Sequence, residues 1–390
     1  MKRKVCIVTG TRAEWGLLSG IANELKHRVD VELQLVVTNM HLDERYGHTI
    51  DDIIAAGFEV NERVPMMVED DSQAMTAKAM AKCLDGMVDA FSRLNPHLIV
   101  ILGDRYEMLS VASAATVMRI PIVHLHGGEI SEGAIDDSIR HAITKLSSLH
   151  LTATEEYRAR VIQMGEEPNR VINTGAIGVY NVAHIKPMSL EELNKSLDFE
   201  ITPGTLLVTY HPATLDDADV ALRCQALLDA LDTFAENKVI ITYPNNDAQG
   251  RVIIEMIEDY ATKNIGRVLV KPSLGLLRYI SALHYVAAVV GNSSSGIIEV
   301  PSMHIPTVNI GIRQQGRMAS DSVIHCADDK DSIVNAISFA LSAEGQNRAK
   351  YADNIYCKEN TLELIVEAIA TTPLESLRTK HFHDIDRVWV

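Results

Sequence analysis

The chain has 390 residues, which is too long for one ordinary hydrophobic core and predicts two domains. Its 47% hydrophobic and 23% charged residues are typical of a soluble globular protein, and no run approaches the roughly 20 apolar residues of a membrane span. The net charge of -16 argues against a general nucleic-acid binder. A polyanionic ligand would therefore have to be met locally, by backbone amides and a few arginines.

The five cysteines are scattered, odd in number and never spaced as C-x-x-C. This usage favours a reducing cytoplasm, thiols that fill the core and no structural zinc. The N-terminal run M-K-R-K-V-C-I-V-T-G has too short an apolar stretch for a signal peptide and predicts the first strand. We therefore expect a cytoplasmic protein without a membrane partner, a metal site or a cofactor.

Strand-like apolar runs alternate with helical patterns along the chain, which predicts an α/β fold with parallel sheets. The alternation is interrupted between Thr174 and Pro203, where we place a hinge. We predict Rossmann-like domains over residues 1–180 and 181–370, followed by a polar tail over 371–390 that is partly mobile. The predicted strands are Val5–Thr9, Val31–Thr38, Leu98–Leu102, Ile120–His124, Leu149–Thr152, Leu206–Tyr210, Val239–Thr242, Val268–Lys271, Ala287–Gly291 and Thr307–Ile310.

Two doubly wound domains of this kind are expected to face a shared cleft with the carboxyl ends of their sheets, where ligands bind in such folds. Each notable polar motif follows a predicted strand, so the motifs are expected to line that cleft. They are Thr9–Arg12, Thr38–His41, Gly103–Arg105, His124–Glu129, Tyr210–Pro212, Tyr243–Asp247 and Gly291–Gly296.

The segment His124–Lys145 concentrates glycines, carboxylates, histidines and an arginine. Its glycines predict a sharp turn after the strand, and its isoleucines at helical spacing predict a helix. Asp136 or Asp137 would cap that helix, and Arg140 would face back toward these carboxylates. The cluster indicates an active site, although each residue taken alone fits an ordinary capped helix with ion pairs equally well.

Several carboxylates and histidines that follow strands could serve general acid–base chemistry, which needs paired groups with separated pKa values. For Asp104, a structural ion pair with Arg105 is the alternative. No H-E-x-x-H or similar spacing supports a metal site. The carboxylates are Asp104, Glu129, Asp136 and Asp137, and the histidines are His41, His126 and His211.

The loop Gly291–Gly296, G-N-S-S-S-G, predicts serine hydroxyls and free amides at a helix N-terminus, which suits a phosphate. Glu299, one turn into that helix, could accept hydrogen bonds from ribose hydroxyls, and Arg313 with Arg317 could neutralise a diphosphate. A serine-capped helix and two solvated arginines are the alternative. The chain lacks the dinucleotide and P-loop fingerprints, which leaves recognition of a nucleotide diphosphate without a required metal.

From Val5 to about Asn360 the chain carries, in order, G-T-R-A-E-W, L-G-D-R, H-G-G-E with D-D-S-I-R-H-A-I-T-K, T-G-A-I-G, Y-H-P, P-N-N-D and G-N-S-S-S-G-I-I-E. This series resembles the hydrolysing UDP-N-acetylglucosamine 2-epimerases of sialic acid synthesis. The resemblance implies two Rossmann-like domains as in GT-B glycosyltransferases, with a C-terminal helix that crosses back onto the first domain. It also implies a UDP-sugar substrate and a homo-oligomer, either a dimer or a tetramer.

The reaction implied by the resemblance converts UDP-N-acetylglucosamine and water to UDP and N-acetylmannosamine. UDP is eliminated to give 2-acetamidoglucal, and water then adds across the double bond. The first domain would carry the acid–base residues, and the second would bind UDP. The implied catalytic residues are Asp104, Glu129, Asp136, His126 and His211, and the implied substrate-binding residues are Arg12, His41, Arg140, Asn245, Ser294, Ser295, Glu299 and Arg313.

The chain departs from some family members, which have a glutamate in the H-x-E-G-G context where this chain has His126. Either His126 or Glu129 would then transfer the C2 proton. Members that act on UDP-2,4-diacetamido-2,4,6-trideoxyglucose, on the legionaminic acid route, share H-G-G-E, so the C4 and C6 substituents of the sugar stay open. The competing hypotheses for the activity are a non-hydrolysing 2-epimerase, a GT-B sugar transferase and a silent UDP-sugar sensor.

Overall fold

A computed structural model of the chain describes residues 2–68, 70, 72–215 and 219–385. These residues form two compact units, each built on a doubly wound parallel sheet, which confirms the predicted fold class. Unit 1 comprises Met1–Glu129, Asp136–Tyr180 and Lys358–Val390. Unit 2 comprises Ile130–Ile135 and Asn181–Cys357.

The strands and helices alternate through both units. The strands are β1 (Arg3–Thr9), β2 (Val31–Thr38), β3 (Glu62–Val64), β4 (Leu98–Leu102), β5 (Ile122–Leu125), β6 (Leu149–Thr152), β7 (Val171–Asn173), β8 (Leu206–Thr209), β9 (Val239–Thr242), β10 (Val268–Lys271), β11 (Ala288–Gly291), β12 (Thr307–Ile310) and β13 (Val323–Cys326). The helices are α1 (Arg12–His27), α2 (Ile50–Ala55), α3 (Gln73–Leu94), α4 (Tyr106–Val117), α5 (Asp136–Leu146), α6 (Glu155–Gln163), α7 (Ile177–His184), α8 (Leu190–Leu197), α9 (Val220–Asp232), α10 (Gly250–Lys263), α11 (Gly275–Leu283), α12 (Ser295–Ile298), α13 (Lys330–Leu341), α14 (Ala343–Lys350), α15 (Thr361–Thr371) and α16 (Leu374–Arg378). None of the helices in the described ranges is both long and apolar enough to span a bilayer.

Each sheet reverses its strand order at one point. The sheet of unit 1 has the order β3-β2-β1-β4-β5-β6-β7, and that of unit 2 has the order β10-β9-β8-β11-β12-β13. The loops after β1 and β4, and those after β8 and β11, therefore leave their sheets in opposite directions. Ligands bind at such switch points in doubly wound folds.

Both faces of each sheet are covered, which explains the near-continuous apolar strands. In β1, Val5 and Ile7 enter one core cluster, while Cys6 and Val8 enter the cluster on the opposite face. All five residues of β4 are buried. Strands of this kind are readable from sequence because every position, rather than every second one, must be apolar.

Three strands were not predicted, namely β3, β7 and β13. Each lies at the edge of its sheet and has three or four residues, of which only one is buried. A short edge strand needs no continuous apolar run, so the sequence carries little signal for it. The other strands match the predicted runs within two residues at either end.

The predicted boundary between domains differs from the two units. Helix α15, assigned to the second domain from the alternation of elements, packs in unit 1, where Ile365 and Ile369 join the core. Arg3 donates to the carbonyl oxygens of Ile369, at 2.7 Å, and Thr372, at 2.8 Å. An apolar helix pattern does not specify which sheet it covers. The family resemblance, which implied a helix crossing back onto the first domain, indicated the correct sheet.

The C-terminal segment makes specific contacts as far as it is described, and its partial mobility stays a prediction. Lys380 Nζ donates to the carbonyl oxygens of Lys145, at 2.6 Å, and Ser147, at 2.8 Å, at the end of α5. Lys145 Nζ lies 5.0 Å from the centroid of the Phe382 ring. The polar residues of the tail thus serve as partners for α5 and its surroundings. Residues 386–390 of the predicted tail lie outside the described residues.

The cysteines match their predicted role as core residues only in part. Cys6, Cys83 and Cys224 are buried, but Cys326 is half-buried and Cys357 is exposed. Cys357 lies in the connection that returns the chain to unit 1. A thiol in such a connection need not fill a core.

Candidate active site

Arg140 joins the carboxylate motifs of unit 1. One helical turn separates it from Asp137 on α5, and its Nη1 lies 3.2 Å from Asp137 Oδ1. The same nitrogen donates to the backbone oxygen of Glu129 at 2.9 Å, while Nη2 donates to Asp104 Oδ2. The side chain is only 1% exposed, and a buried guanidinium requires such counter-charges. Arg140 thus holds the candidate carboxylates in place, and its role in substrate binding stays a prediction.

Arg105 does not form the predicted ion pair with Asp104 through any described contact. Its Nε instead donates to Glu107 Oε1 at 2.9 Å, at the start of α4. Asp104 follows Gly103, whose φ of +77° lets the chain turn sharply at the end of β4. This turn directs Asp104 toward α5 rather than toward its neighbour in sequence.

His126 and Glu129 form a buried pair in the H-G-G-E loop. The distance between His126 Nδ1 and Glu129 Oε1 is 2.7 Å, and the two residues are 8% and 2% exposed. His126 has a φ of +64°, a left-handed conformation that costs free energy for a non-glycine residue. Its backbone N–H donates to Leu151 O at 2.9 Å, which holds this conformation.

The pair fixes the tautomer of the imidazole. Because Glu129 accepts the hydrogen bond from Nδ1–H, the neutral ring of His126 carries its lone pair on Nε2. Nε2 is buried and has no hydrogen-bond partner among the described residues. A buried nitrogen with an available lone pair, oriented by a carboxylate, is the arrangement of a general base.

The remaining candidates of unit 1 are less closely tied to this cluster. Asp136 begins α5, one residue before the Asp137 that contacts Arg140, and is half-buried. Arg12 begins α1 after β1 and is also half-buried. Both follow strands as predicted, and their roles stay predictions.

The His41 ring contacts two threonine side chains, and its role in substrate binding stays a prediction. Its Nε2 is 3.1 Å from Thr9 Oγ1, and its Nδ1 is 2.6 Å from Thr49 Oγ1. Burial lowers the pKa of the ring to about 3, so it is neutral. The 3₁₀ turn Asn39–Leu42 after β2 directs the ring back toward β1. Both ring nitrogens therefore serve the packing of the loops after β1 and β2.

In unit 2, Asn292 organises the loops at the switch point between β8 and β11. Its Oδ1 accepts from the His211 backbone N–H at 2.7 Å, and its Nδ2 donates to His211 O at 2.8 Å. The Asn292 carbonyl accepts from Arg313 Nη1 at 3.2 Å and from Gln314 Nε2 at 3.0 Å. The side chain of Asn292 thus holds the His211 backbone, and its backbone carbonyl binds the arginine loop.

His211 has a defined tautomer as well. The backbone N–H of Asn245 donates to His211 Nδ1 at 3.2 Å, so Nδ1 is an acceptor. The neutral ring then carries its hydrogen on Nε2 and can donate from that atom. His211 and Arg313 are 5% and 8% exposed. Unit 2 thus places a neutral donor and a guanidinium on the same Asn292 framework.

The serine loop precedes a helix as predicted, but the helix is short, and the phosphate site stays a prediction. Helix α12 has four residues and is followed by a 3₁₀ turn that contains Pro301, so its dipole is small. Ser294 precedes this helix without a side-chain cap, and Glu299 ends it rather than lying one turn inside. Ser295 Oγ lies 2.5 Å from Tyr279 OH. Burial, and then the charge of Glu299, raise the pKa of Tyr279.

Sequence reasoning missed several residues that build these clusters. Asn292 and Tyr279 carry no charge and match no motif of acid–base chemistry. Glu14 had a readable signal, because T-R-A-E is a capping box in which Thr11 and Glu14 bond reciprocally. Within the described ranges, no group of three or more His, Cys, Asp or Glu side chains is arranged to hold a metal ion.

Comparisons with known proteins identify the family of the chain. The family model described as UDP-N-acetylglucosamine 2-epimerase matches residues 23–370. The GDP/UDP-N,N'-diacetylbacillosamine 2-epimerase (hydrolyzing) of Campylobacter jejuni is 39% identical over 340 residues, which are 87% of each chain. The UDP-N,N'-diacetylbacillosamine 2-epimerase (hydrolyzing) of Legionella pneumophila is 35% identical over 96% of this chain and 98% of its own. The polysialic acid biosynthesis protein P7 of Escherichia coli is 38% identical over 92% of each chain.

Solved structures show the same fold. The UDP-GlcNAc 2-epimerase of Neisseria meningitidis bound to UDP-GlcNAc superposes with a TM-score of 0.78 at 15% identity, over 93% of this chain and 98% of that chain. The MnaA–UDP structure of S. aureus gives a TM-score of 0.76 at 16% identity, over 95% and 96% of the two chains. The fold is the GT-B-like two-domain α/β fold. With a family model that covers most of its length, the chain belongs to the UDP-N-acetylglucosamine 2-epimerase family.

Proposed function

We propose that the chain is a hydrolysing 2-epimerase, which releases UDP from a UDP-2-acetamido sugar and inverts the configuration at C2. The observation that carries the proposal is the buried His126–Glu129 pair, with Nε2 oriented and without a partner among the described residues. The hydrogen on C2 of a sugar is weakly acidic. Its removal needs a positioned base, and the reaction also needs a means to stabilise the departing diphosphate.

His126 is the proposed base for C2. Its Nε2 takes the proton as the bond between C1 and the UDP oxygen breaks, which leaves the 2-acetamidoglucal. Glu129 stabilises the imidazolium that forms, across the 2.7 Å contact to Nδ1. Both residues of the loop thus have a role, with His126 transferring the proton and Glu129 orienting the ring.

UDP is the proposed ligand of unit 2. The Nε2–H of His211 and the guanidinium of Arg313 would stabilise the charge that develops on the leaving diphosphate. Ser294, Ser295, Asn245 and Glu299 are proposed for the nucleotide, and the role of Arg12 stays a prediction. Around the diphosphate itself, the neutral donor His211 and the cation Arg313 suit a ligand that is already an anion.

Hydration of the glucal needs a base for the water and an acid for C2. Water adds its oxygen to C1. A proton returns to C2 on the face opposite the one from which it was removed, which gives the manno configuration. Asp104 and Asp136 are the proposed groups for these transfers. The contact of Asp104 with the buried Arg140 fixes its carboxylate for this task.

Two substrates are proposed in order. Two of the relatives most similar to this chain carry the name UDP-N,N'-diacetylbacillosamine 2-epimerase (hydrolyzing), which favours a 2,4-diacetamido-2,4,6-trideoxy sugar. UDP-N-acetylglucosamine, with N-acetylmannosamine as product, is the second candidate. The polysialic acid biosynthesis protein of E. coli and the family description support it. A cytoplasmic location and a homo-oligomer stay predictions from the sequence.

Product analysis tests the proposal. The protein is incubated separately with both UDP-sugars, without any acceptor, and the products are identified by mass spectrometry and NMR. We expect free UDP and a free manno-configured sugar from one substrate. A UDP-linked epimer would indicate the non-hydrolysing reaction, and no turnover without an acceptor would indicate a transferase or a sensor. Either result would overturn the proposal.

A further inference from the structure

Two buried carboxylates lie on either side of Gly10 at the switch point of unit 1. Glu14 Oε2 accepts hydrogen bonds from the backbone N–H groups of Gly10, at 2.7 Å, and Thr11, at 3.0 Å. A Cβ atom on Gly10 would lie 2.6 Å from Glu107 Oε1. Glu14 and Glu107 are 5% and 0% exposed. Neither residue belongs to the cluster around Arg140 and His126.

The groups around the two carboxylates supply less positive charge than two anions need. On α4, Glu107 Oε1 accepts from Arg105 Nε at 2.9 Å, and after β2 it accepts from the neutral amide of Asn39 at 2.7 Å. On α3, burial raises the pKa of the Cys83 thiol to about 12, so it is neutral. The His41 ring after β2 is neutral too, and the charge of Arg12 on α1 acts on that ring. The cation in contact with the carboxylates is therefore Arg105.

Each carboxylate also has one oxygen that its surroundings leave unsatisfied. Glu14 Oε1 and Glu107 Oε2 are buried, and neither has a hydrogen-bond partner among the described residues. Two such oxygens on neighbouring buried carboxylates carry a large desolvation cost if both groups are ionised. Protonation of one of them removes that cost, as in other buried carboxylate pairs.

We propose that Glu14 carries a proton at neutral pH beside the buried carboxylate of Glu107, and that this pair positions the loops after β1, β2 and β4. Glu14 holds the amides of the β1 loop, which continues into Arg12. Glu107 holds Asn39 of the β2 loop and Arg105 of the β4 loop, which follows Asp104. Glu14 and Glu107 are positioning residues and touch no reacting atom.

The pair has a defined pH dependence. Burial, and then the charge of Glu107, raise the pKa of Glu14 to about 8. Because the ordinary pKa is 4.5, the folded state binds a proton that the unfolded chain releases. The stabilisation is complete below the unfolded value and is lost as the pH rises through about 8. Above that pH, Glu14 becomes negatively charged beside the carboxylate of Glu107, and the three loops loosen.

Infrared spectroscopy of the substrate-free protein tests whether Glu14 carries a proton. We expect the carbonyl band of a protonated carboxylic acid at neutral pH, and its loss as the pH rises through about 8. The band should be absent in Glu14→Gln. The matched control is Glu24→Gln, an exposed glutamate on the same helix, which should keep it. Wild-type protein without the band at neutral pH would overturn the proposal, even if Glu14→Gln does not fold.

Turnover tests the positioning role, and this part rests on the proposed function. Wild-type kcat should fall above about pH 8, roughly tenfold per pH unit as the protonated fraction falls. Glu14→Gln, a neutral isostere, should keep the neutral-pH kcat and lose this alkaline decline. An unchanged decline in Glu14→Gln would overturn the positioning role. If neither UDP-sugar is a substrate, the infrared band still decides whether Glu14 is protonated.

Discussion

The two switch points share a topology and differ in chemistry. In unit 1 the loops carry charged groups that pair with one another in buried positions, with Arg140 between Asp104 and Asp137. In unit 2 the corresponding framework residue is Asn292, whose neutral amide and carbonyl do the same task for His211 and Arg313. The strand order fixes where a site can be built, and the loop residues decide what it can do.

This difference suits the two halves of the proposed reaction. Proton transfer needs ionisable groups whose charge is compensated in each state, as the His126–Glu129 pair provides. A diphosphate brings its own negative charge, so a carboxylate framework around it would repel it. Variants in unit 1 should therefore change turnover, and variants in unit 2 should change UDP affinity.

The largest effect is expected for His126→Asn. Asparagine tolerates the left-handed backbone that His126 adopts, so the loop is retained while the base is lost. We expect kcat to fall by ~10²–10⁴, the usual contribution of a positioned base, with UDP affinity unchanged. Steady-state kinetics and UDP calorimetry measure the two quantities. Near-normal turnover would show that His126 is not the base. It would also contradict the assignment of proton transfer to unit 1 and of UDP binding to unit 2.

The next prediction distinguishes the roles of Asp104 and Asp137, two carboxylates that both contact Arg140. Asp104→Asn and Asp137→Asn each remove a charge from Arg140, so they should lose similar stability in thermal unfolding. Only Asp104→Asn should also lower kcat by at least ~100-fold. Equal losses of kcat in both variants would mean that Asp104 acts only through Arg140.

Asn292→Ala should weaken UDP binding while leaving proton transfer intact. The substitution leaves the backbone N–H and carbonyl of His211 without their hydrogen bonds to the Asn292 side chain, which typically costs about 1–3 kcal/mol. Part of this cost should appear as UDP binding that is weaker by roughly tenfold, since about 1.4 kcal/mol is a factor of ten. Calorimetry with UDP, without sugar, measures this change. If UDP affinity is normal, the nucleotide binds away from the Asn292 framework.

The smallest effect concerns the C-terminal segment. Lys380→Met removes the donors to the end of α5 and the 2.8 Å ion pair with Glu166. We expect a lower Tm with UDP affinity unchanged, whereas Lys78→Met, on the exposed face of α3, should leave Tm unchanged. An unaltered Tm in Lys380→Met would show that the segment contributes nothing to unit 1.

The pH dependence of Glu166 sharpens this prediction. Burial alone would raise its pKa, but hydrogen bonds and charges from His150, Lys145 and Lys380 lower it to about 2. Its stabilisation is therefore present above the ordinary value of 4.5 and is lost as the pH falls toward about 2. In Lys380→Met the folded pKa should be less depressed, so the acid-side loss should be smaller and should end at a higher pH.

Much of the fold could be predicted because the central strands are buried on both faces. The run L-I-V-I-L of β4 has one reasonable interpretation, whereas V-I-N of β7 at the sheet edge has several. The sheet that α15 covers depends on tertiary packing, which its own apolar pattern does not encode. Local sequence patterns therefore predicted the strands and helices better than they predicted the unit to which each one belongs.

The site was predictable where the contact is local. Helical spacing alone brings Asp137 to Arg140, and strand ends alone placed Asp104 and His126 at one edge. The contact of Asp104 with Arg140 spans 36 residues, and it depends on how α5 packs beside β4. The direction of the His41 ring depends on a 3₁₀ turn. Asn292 binds the backbone atoms of His211, and no side-chain motif reveals such a contact.

Isotope labelling of the product tests the central claim most directly, namely that proton removal at C2 accompanies departure of UDP from C1. The reaction is run with the accepted UDP-sugar in deuterium oxide, and in parallel in water labelled with heavy oxygen. The account predicts a free manno-configured sugar with solvent deuterium at C2 and solvent oxygen at C1. A free manno product without deuterium at C2 would contradict the elimination, whatever the variants show.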